Sequence, residues 1–155
     1  MEQAHDKVGV DELVPHRRTM SWLDQVISAD DEGVVAQATI RPTSLFVRDG
    51  QLPVWAGIEY MAQTVAVWGG HRAKQQGRSI ALGFLVGTRR YEVHRQSFKV
   101  GDLLRIEARC ELVAENGLGM FSCRVLVGDD LVATANLSVF EPPDGVEFLE
   151  SQERK

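Results

Sequence analysis

The run from Gly50 to Gly70, GQLPVWAGIEYMAQTVAVWGG, carries one charged residue in twenty-one, Glu59. Apolar side chains fall on nearly every helical face between Pro53 and the Gly69-Gly70 pair. A helix apolar all round is normally buried, and a lone carboxylate on a buried helix is costly unless paired or kept neutral. The run therefore demands a fold that encloses a helix. It also marks Glu59 as a candidate for chemistry, the alternative being a carboxylate satisfied by a structural partner. Gln63 sits one turn later on the same face, either to hydrogen-bond Glu59 or a substrate, or to satisfy a buried polar spot.

The segment is short for a bilayer span and holds Glu59, Gln63 and Thr64, so a core helix is expected rather than a membrane helix. The helix is predicted over Trp55 to about Lys74. Its polar, cationic continuation, His71-Arg72-Ala73-Lys74-Gln75-Gln76-Gly77, suits a helix end emerging into water. The N-terminal residues MEQAHDKVGVDE lack a cationic stretch followed by an apolar run, so no signal peptide is expected. Cys110 and Cys123 form neither a CxxC nor a metal-ligand spacing. Reduced thiols in a cytoplasmic protein are the expectation, with one disulfide as the alternative.

At 155 residues the chain predicts one domain, 1–155, with a core from about 9 to 141 and loose tails at 1–8 and 142–155. A formal net charge of −5 argues against nucleic acid as the main partner. Arg89, Arg90, Arg95 and Lys99 lie close together in sequence. They would form a small basic patch for an acidic carrier protein or phosphopantetheine, or else a solvated face.

The rest of the chain reads as strands. A short helical turn over Val10 to Leu13 would end before Pro15. Met20 to Ser28 and Gly33 to Ile40 are predicted strands split by an Asp30-Asp31-Glu32-Gly33 turn, and a loop follows from Arg41 to Leu52. After the helix come Ile80 to Val86, Leu104 to Val113, Gly119 to Val127 and Leu131 to Phe140. Gly101-Asp102, Asn116-Gly117 and Gly128-Asp129-Asp130 supply turns. The layout is α+β, an antiparallel sheet of five to six strands wrapped around one long helix.

Three short patterns carry a resemblance. Pro15-His16-Arg17-Arg18-Thr19-Met20-Ser21-Trp22-Leu23-Asp24-Gln25-Val26 resembles the opening of β-hydroxyacyl-ACP dehydratases of the FabZ/FabA type. Pro53, then Glu59 six residues on, then Ala62-Gln63, is similar to their central helix. Gly83-Phe84-Leu85-Val86-Gly87 through Phe98-Lys99-Val100-Gly101-Asp102-Leu103-Leu104 is similar to their later strand and V-x-GD-x-L turn, with one residue fewer before Gly101. The chain most resembles the 3-hydroxyacyl-ACP dehydratases of aryl polyene biosynthesis, the ApeP type. This resemblance implies the hot-dog fold, no cofactor and no metal. It also implies a 3-hydroxyacyl thioester on acyl carrier protein or CoA, and a dimer with a second hot-dog subunit, identical or different.

In that family a loop histidine removes the α-proton of the substrate while the helix carboxyl protonates the departing hydroxyl. The two residues come from different subunits. A poor leaving group needs an acid at its oxygen, and a weakly acidic C–H needs a base. A carboxyl in an apolar site holds its proton more readily than one in water. The resemblance thus assigns Glu59 as the acid, with Gln63 beside it. It also puts Pro53, Val54 and Trp55 at the thioester oxygen and the acyl tunnel mouth, where backbone N–H groups at a helix N-terminus would help hold that oxygen. Tyr60, Met61 and Trp68 would line the tunnel or pack as core. Phe84, Val86 and Gly87 would form the strand along which the acyl chain lies, or an ordinary sheet interior.

The match also breaks. The family's His-Phe-Pro loop falls on about Leu45-Phe46-Val47, and no histidine occurs from Ser44 to Pro53. Val54 replaces the glycine that normally follows the proline, and Gly57, the nearest helix glycine, is expected to serve close packing. His71 is twelve residues beyond Glu59, about 18 Å along a helix, and reads as a solvated helix-end residue. His16 and His94 read as structural and His5 lies in the tail. Three functions remain open: a half-site dehydratase subunit completed by a histidine-bearing partner, a hot-dog thioesterase using an acid alone, and a non-catalytic acyl-binding subunit.

Overall fold

A computed structural model describes residues 22–44, 46–77 and 84–140, with backbone alone for 84–86. The Val10–Leu13 turn, the Pro15–Ser21 half of the first motif, Leu45, residues 80–83 and both predicted tails lie outside the described residues, as do His5 and His16. The elements run β1 (Gln25–Ala29), β2 (Gly33–Thr39), β3 (Gln51–Pro53), α1 (Ala56–Gln75), β4 (Phe84–Val93), β5 (Ser97–Lys99), β6 (Leu103–Val113), β7 (Leu118–Val127) and β8 (Asp130–Phe140). Six strands form one antiparallel sheet in the order β1-β2-β6-β7-β8-β4, and β3 pairs with β5 apart from it. A sheet curved around one helix is the hot-dog architecture that the sequence implies.

Alternation makes the sheet two-faced. Val34, Ala36 and Ala38 on β2, Leu104, Ile106 and Ala108 on β6, and Phe121, Cys123 and Val125 on β7 are buried against α1. Alanines at 36, 38, 108, 133 and 135 keep that inner face shallow, so the helix can settle closely on β2, β6 and β7. The opposite face is charged: Glu107 receives Arg105 at 2.9 Å and Arg124 at 2.6 Å, and Ser122 donates to Glu111 at 3.0 Å. Such exposed pairs add little stability each; they keep this face in water.

The helix is not buried all round. The sheet encloses most of it, but Ile58, Glu59, Ala62, Ala66 and Gly69 form a half-exposed strip along one side. A curved sheet covers a cylinder on one side only, so a strip of an apolar helix is left uncovered by this chain. The helix ends where Gly77 takes a left-handed φ of 69° and donates its N–H to the Lys74 carbonyl at 3.1 Å.

Other boundaries also shift. The predicted Arg41–Leu52 loop includes the start of β3. Pro53, expected as the approach to the helix, is instead the last residue of that strand, opposite Ser97. A two-stranded ribbon tolerates it because an edge position needs no N–H donor. β1 begins only at Gln25. β4 runs well past Val86 to Val93, with register breaks between Leu85 and Gly87 and between Arg89 and Glu92. Bulges of this kind break the period-two pattern by which a strand is read.

Two acids within the quoted patterns, Asp24 and Asp102, serve as structural ties. Asp24 accepts the Thr39 N–H at 2.8 Å and the Arg41 guanidinium at 3.0 Å. Asp102 accepts the Lys99 N–H and the Arg95 guanidinium, both at 2.9 Å, in the turn between β5 and β6. Arg95 is thereby withdrawn from the expected basic patch, while Arg89 and Arg90 stay exposed. Both cysteines are free thiols. Among the described residues no helix is long and apolar enough to cross a membrane.

Candidate active site

Glu59 stands in the first turn of α1, on the half-exposed strip. Its expected full burial is corrected: the sheet leaves this side of the helix open. Gln63, one turn on and 2% exposed, donates its side-chain amide to Glu59 Oε2 at 2.7 Å. The carbonyl end of the same amide accepts the backbone N–H of Trp22 at 2.8 Å. The carboxylate is thus held by a buried amide that is itself held by the segment leading into β1. Gripping one oxygen limits rotation of the carboxyl group and fixes where it points.

Aromatic rings wall this turn. Trp22 meets Tyr60 edge-on at 5.0 Å and Phe46 at 6.2 Å, and Phe46 meets Trp55 edge-on at 5.2 Å. Phe46 is held at φ 70°, a left-handed conformation that costs a non-glycine residue energy. Phe46 is 47% and Trp55 49% exposed, so the wall is open on one side. Burial, aided by the nearby Asp24, pushes the Tyr60 phenol up to about 12, so it stays protonated. Met61 is wholly buried in the core. Trp68 is buried too, with its indole N–H donating to the Asp30 carbonyl at 2.9 Å.

Trp55 caps the helix without a side-chain hydrogen bond. The Gly57 N–H donates to the Val54 carbonyl and the Ile58 N–H to the Trp55 carbonyl, both at 3.1 Å. Pro53, Val54 and Trp55 are therefore gathered at the start of the helix that carries Glu59 and Gln63. Phe84, Val86 and Gly87 lie elsewhere, on β4 beside β8, where Phe84 pairs with Phe140 and Gly87 with Ser138. A Cβ at Gly87 would meet nothing within 4 Å among the described residues, so no close neighbour there requires glycine.

Two histidines are among the described residues. His94 is exposed between β4 and β5, its backbone N–H donating to the Val132 carbonyl at 2.9 Å. His71 lies about 18 Å along the helix from Glu59. Its ring nitrogen Nε2 is buried without a hydrogen-bond partner, which corrects the expected solvated side chain. Among the described residues no group of three or more His, Cys, Asp or Glu could hold a metal ion.

The family profile described as ApeP-like, ApeP dehydratase, matches residues 8–150. The chain belongs to the ApeP-like dehydratases. This ApeP-like chain is similar to the dehydratase heterocomplex ApeI:P from Xenorhabdus doucetiae, at 30% identity and a TM-score of 0.84, over 92% of this chain and 96% of that one. A hypothetical thioesterase with coenzyme A from Streptococcus pneumoniae TIGR4 matches at 15% identity and a TM-score of 0.57, over 75% and 83% of the two chains. The smu.793 protein from Streptococcus mutans UA159, bound to acetyl CoA, matches at 17% and 0.62, over 83% and 94%. These two show the shared fold alone. No curated protein sequence matches the chain. The ApeP-like dehydratase is a hot-dog lyase, and its first helical turn carries a carboxyl anchored by a buried amide. Sequence does not reveal the contacts of Trp22 and Phe46 at this turn, because one is made by a backbone N–H and the other by a ring on the loop before β3. Neither leaves a pattern in the sequence.

Proposed function

We propose that this ApeP-like dehydratase is the acid-bearing subunit of a two-subunit enzyme that dehydrates 3-hydroxyacyl chains carried on acyl carrier protein. Glu59 gives its proton to the leaving 3-hydroxyl. The C3–O bond breaks, water departs, and the C2–C3 double bond forms as a partner histidine takes the α-proton. Gln63 orients the acid, and the backbone around Pro53, Val54 and Trp55 holds the thioester oxygen. Phe84, Val86 and Gly87 line the path of the acyl chain. The protein works in the cytoplasm, as one domain, in aryl polyene biosynthesis.

The observation that carries this reading is the Gln63–Glu59 hydrogen bond on the half-exposed strip. An oriented acid beside an otherwise apolar strip suits a subunit that another subunit completes. That the Xenorhabdus relative is a dehydratase heterocomplex supports the same reading.

The test is enoyl-thioester formation by the chain alone and with a histidine-bearing hot-dog subunit. The pair is expected to be active, the chain alone inactive, and Glu59→Gln to lower the rate of the pair by about 10²- to 10⁴-fold. Full activity of the chain alone that survives Glu59→Gln would refute the proposal. Release of free thiol in place of an enoyl product would favour a thioesterase. Unchanged activity of a folded Glu59→Ala complex would favour a non-catalytic, acyl-binding role.

A further inference from the structure

The second bulge of β4 has a local purpose. Between Arg89 and Glu92 the pairing with β8 slips, and Arg90 takes a left-handed φ of 55°. L residues avoid that conformation unless the surroundings impose it. The next residue, Tyr91, packs against the core, and its hydroxyl donates to the backbone carbonyl of Val54. Val54 lies just before α1, and its carbonyl also accepts the Gly57 N–H at 3.1 Å. Gly57 leaves the space the phenol occupies: a Cβ there would collide with the Tyr91 hydroxyl and lie 3.2 Å from its Cζ, with the Phe98 ring at 3.5 Å. Burial pushes the phenol up to about 12, so the hydroxyl keeps the proton it donates. A strained residue, a half-buried phenol and a helix glycine thus meet around one carbonyl, five residues before the acid.

We infer that Tyr91 is a positioning residue for the dehydration: by holding the Val54 carbonyl it fixes the first turn of α1, and with it Glu59. Strand bulges often re-aim one side chain next to a site, and a displacement of about 1 Å at a reacting group can cost about a hundredfold in rate. The kinetic part rests on the dehydratase reading; the structural part does not.

In the complex with a histidine-bearing hot-dog subunit, Tyr91→Phe keeps the ring and removes the hydroxyl. It is expected to lower kcat by about ten- to a hundredfold with KM within about twofold. In the same variant, amide exchange of Gly57, Ile58 and Glu59 should speed about tenfold while β6 and β7 are unchanged. Gly57→Ala should reproduce the loss in the wild-type background and add little in Tyr91→Phe. Wild-type kcat in Tyr91→Phe, a Gly57→Ala effect that simply adds, or faster exchange spread over β6 and β7 would each overturn the inference. If the wild-type complex forms no enoyl product, the dehydratase reading fails separately. The exchange measurement still decides the Tyr91 contact, with local speeding supporting it and no change overturning it.

Discussion

Gln63 donates to Glu59 Oε2 at 2.7 Å, and its orientation leaves no alternative. The carbonyl oxygen of its amide is claimed by the Trp22 N–H at 2.8 Å, so the NH2 end must face the carboxylate. A side chain with no acceptor at that point would strand the Trp22 N–H and release the acid together.

Gln63→Leu is therefore expected to lower the kcat of the assembled enzyme about tenfold and to cost about 1–2 kcal/mol of stability. Steady-state kinetics and thermal melts check both. An unchanged kcat would mean that the carboxylate needs no anchor.

Alkaline stability follows from two buried groups, Cys123 and Tyr60, and the half-buried Tyr91. Burial pushes the Cys123 thiol from 9.0 to about 12, and the Tyr60 and Tyr91 phenols from 10.0 to about 12. Between these values the unfolded chain has released protons that the native protein still holds. Their contribution is fully present below about pH 9 and falls as pH rises, by up to about 1.4 kcal/mol per pH unit for each group. Melting temperatures should decline from about pH 9 upward, and Cys123→Ala should flatten the first part of that decline relative to its own neutral value.

Gly33 opens β2 against the backbone of β6. A Cβ at this position would run into the Ala108 carbonyl oxygen and lie 3.2 Å from Arg109 Cα. Backbone cannot step aside cheaply, so Gly33→Ala should cost about 2–4 kcal/mol, a fall in Tm of roughly 5–12 °C. Differential scanning calorimetry checks it; a variant melting within a degree or so of the wild type would refute the steric account.

Asp102 joins the turn before β6 to the guanidinium of Arg95, both of its contacts being through Oδ2. Asp102→Ala should destabilise the protein by about 1–2 kcal/mol. It should also raise amide exchange selectively at Lys99 and in the β3–β5 ribbon. Faster exchange throughout the main sheet instead would show that the contact supports the whole fold rather than this turn.

Much of the architecture was legible in the order of residues, and for definite reasons. The helix announced itself through its lack of charge. β2, β6, β7 and β8 could be read because alternation reports which face meets the core, and Glu59 with Gln63 because four-residue spacing puts them on one side of a helix. Pro53 reads as the approach to the helix because a proline before a helix and a proline closing an edge strand look the same in sequence. β4 was cut short because its bulges shift the alternation. The lone charge of the helix reads as buried because composition cannot tell which side of a helix the sheet fails to cover. Tyr91 stayed hidden because nothing in Arg89-Arg90-Tyr91 announces that one residue will turn left-handed.

The hydrogen bond from Trp22 to Gln63 spans 41 positions of the chain. A nascent α1 could pair Glu59 with Gln63 by itself, but the Trp22 N–H reaches the far end of that amide only once the segment leading into β1 has docked. The two-ended grip on Glu59 consequently depends on a contact between parts of the chain far apart in sequence. The aim of this carboxyl is therefore a property of the whole fold: a fragment holding α1 alone would carry Glu59 and Gln63 and lack the Trp22 end of the tether.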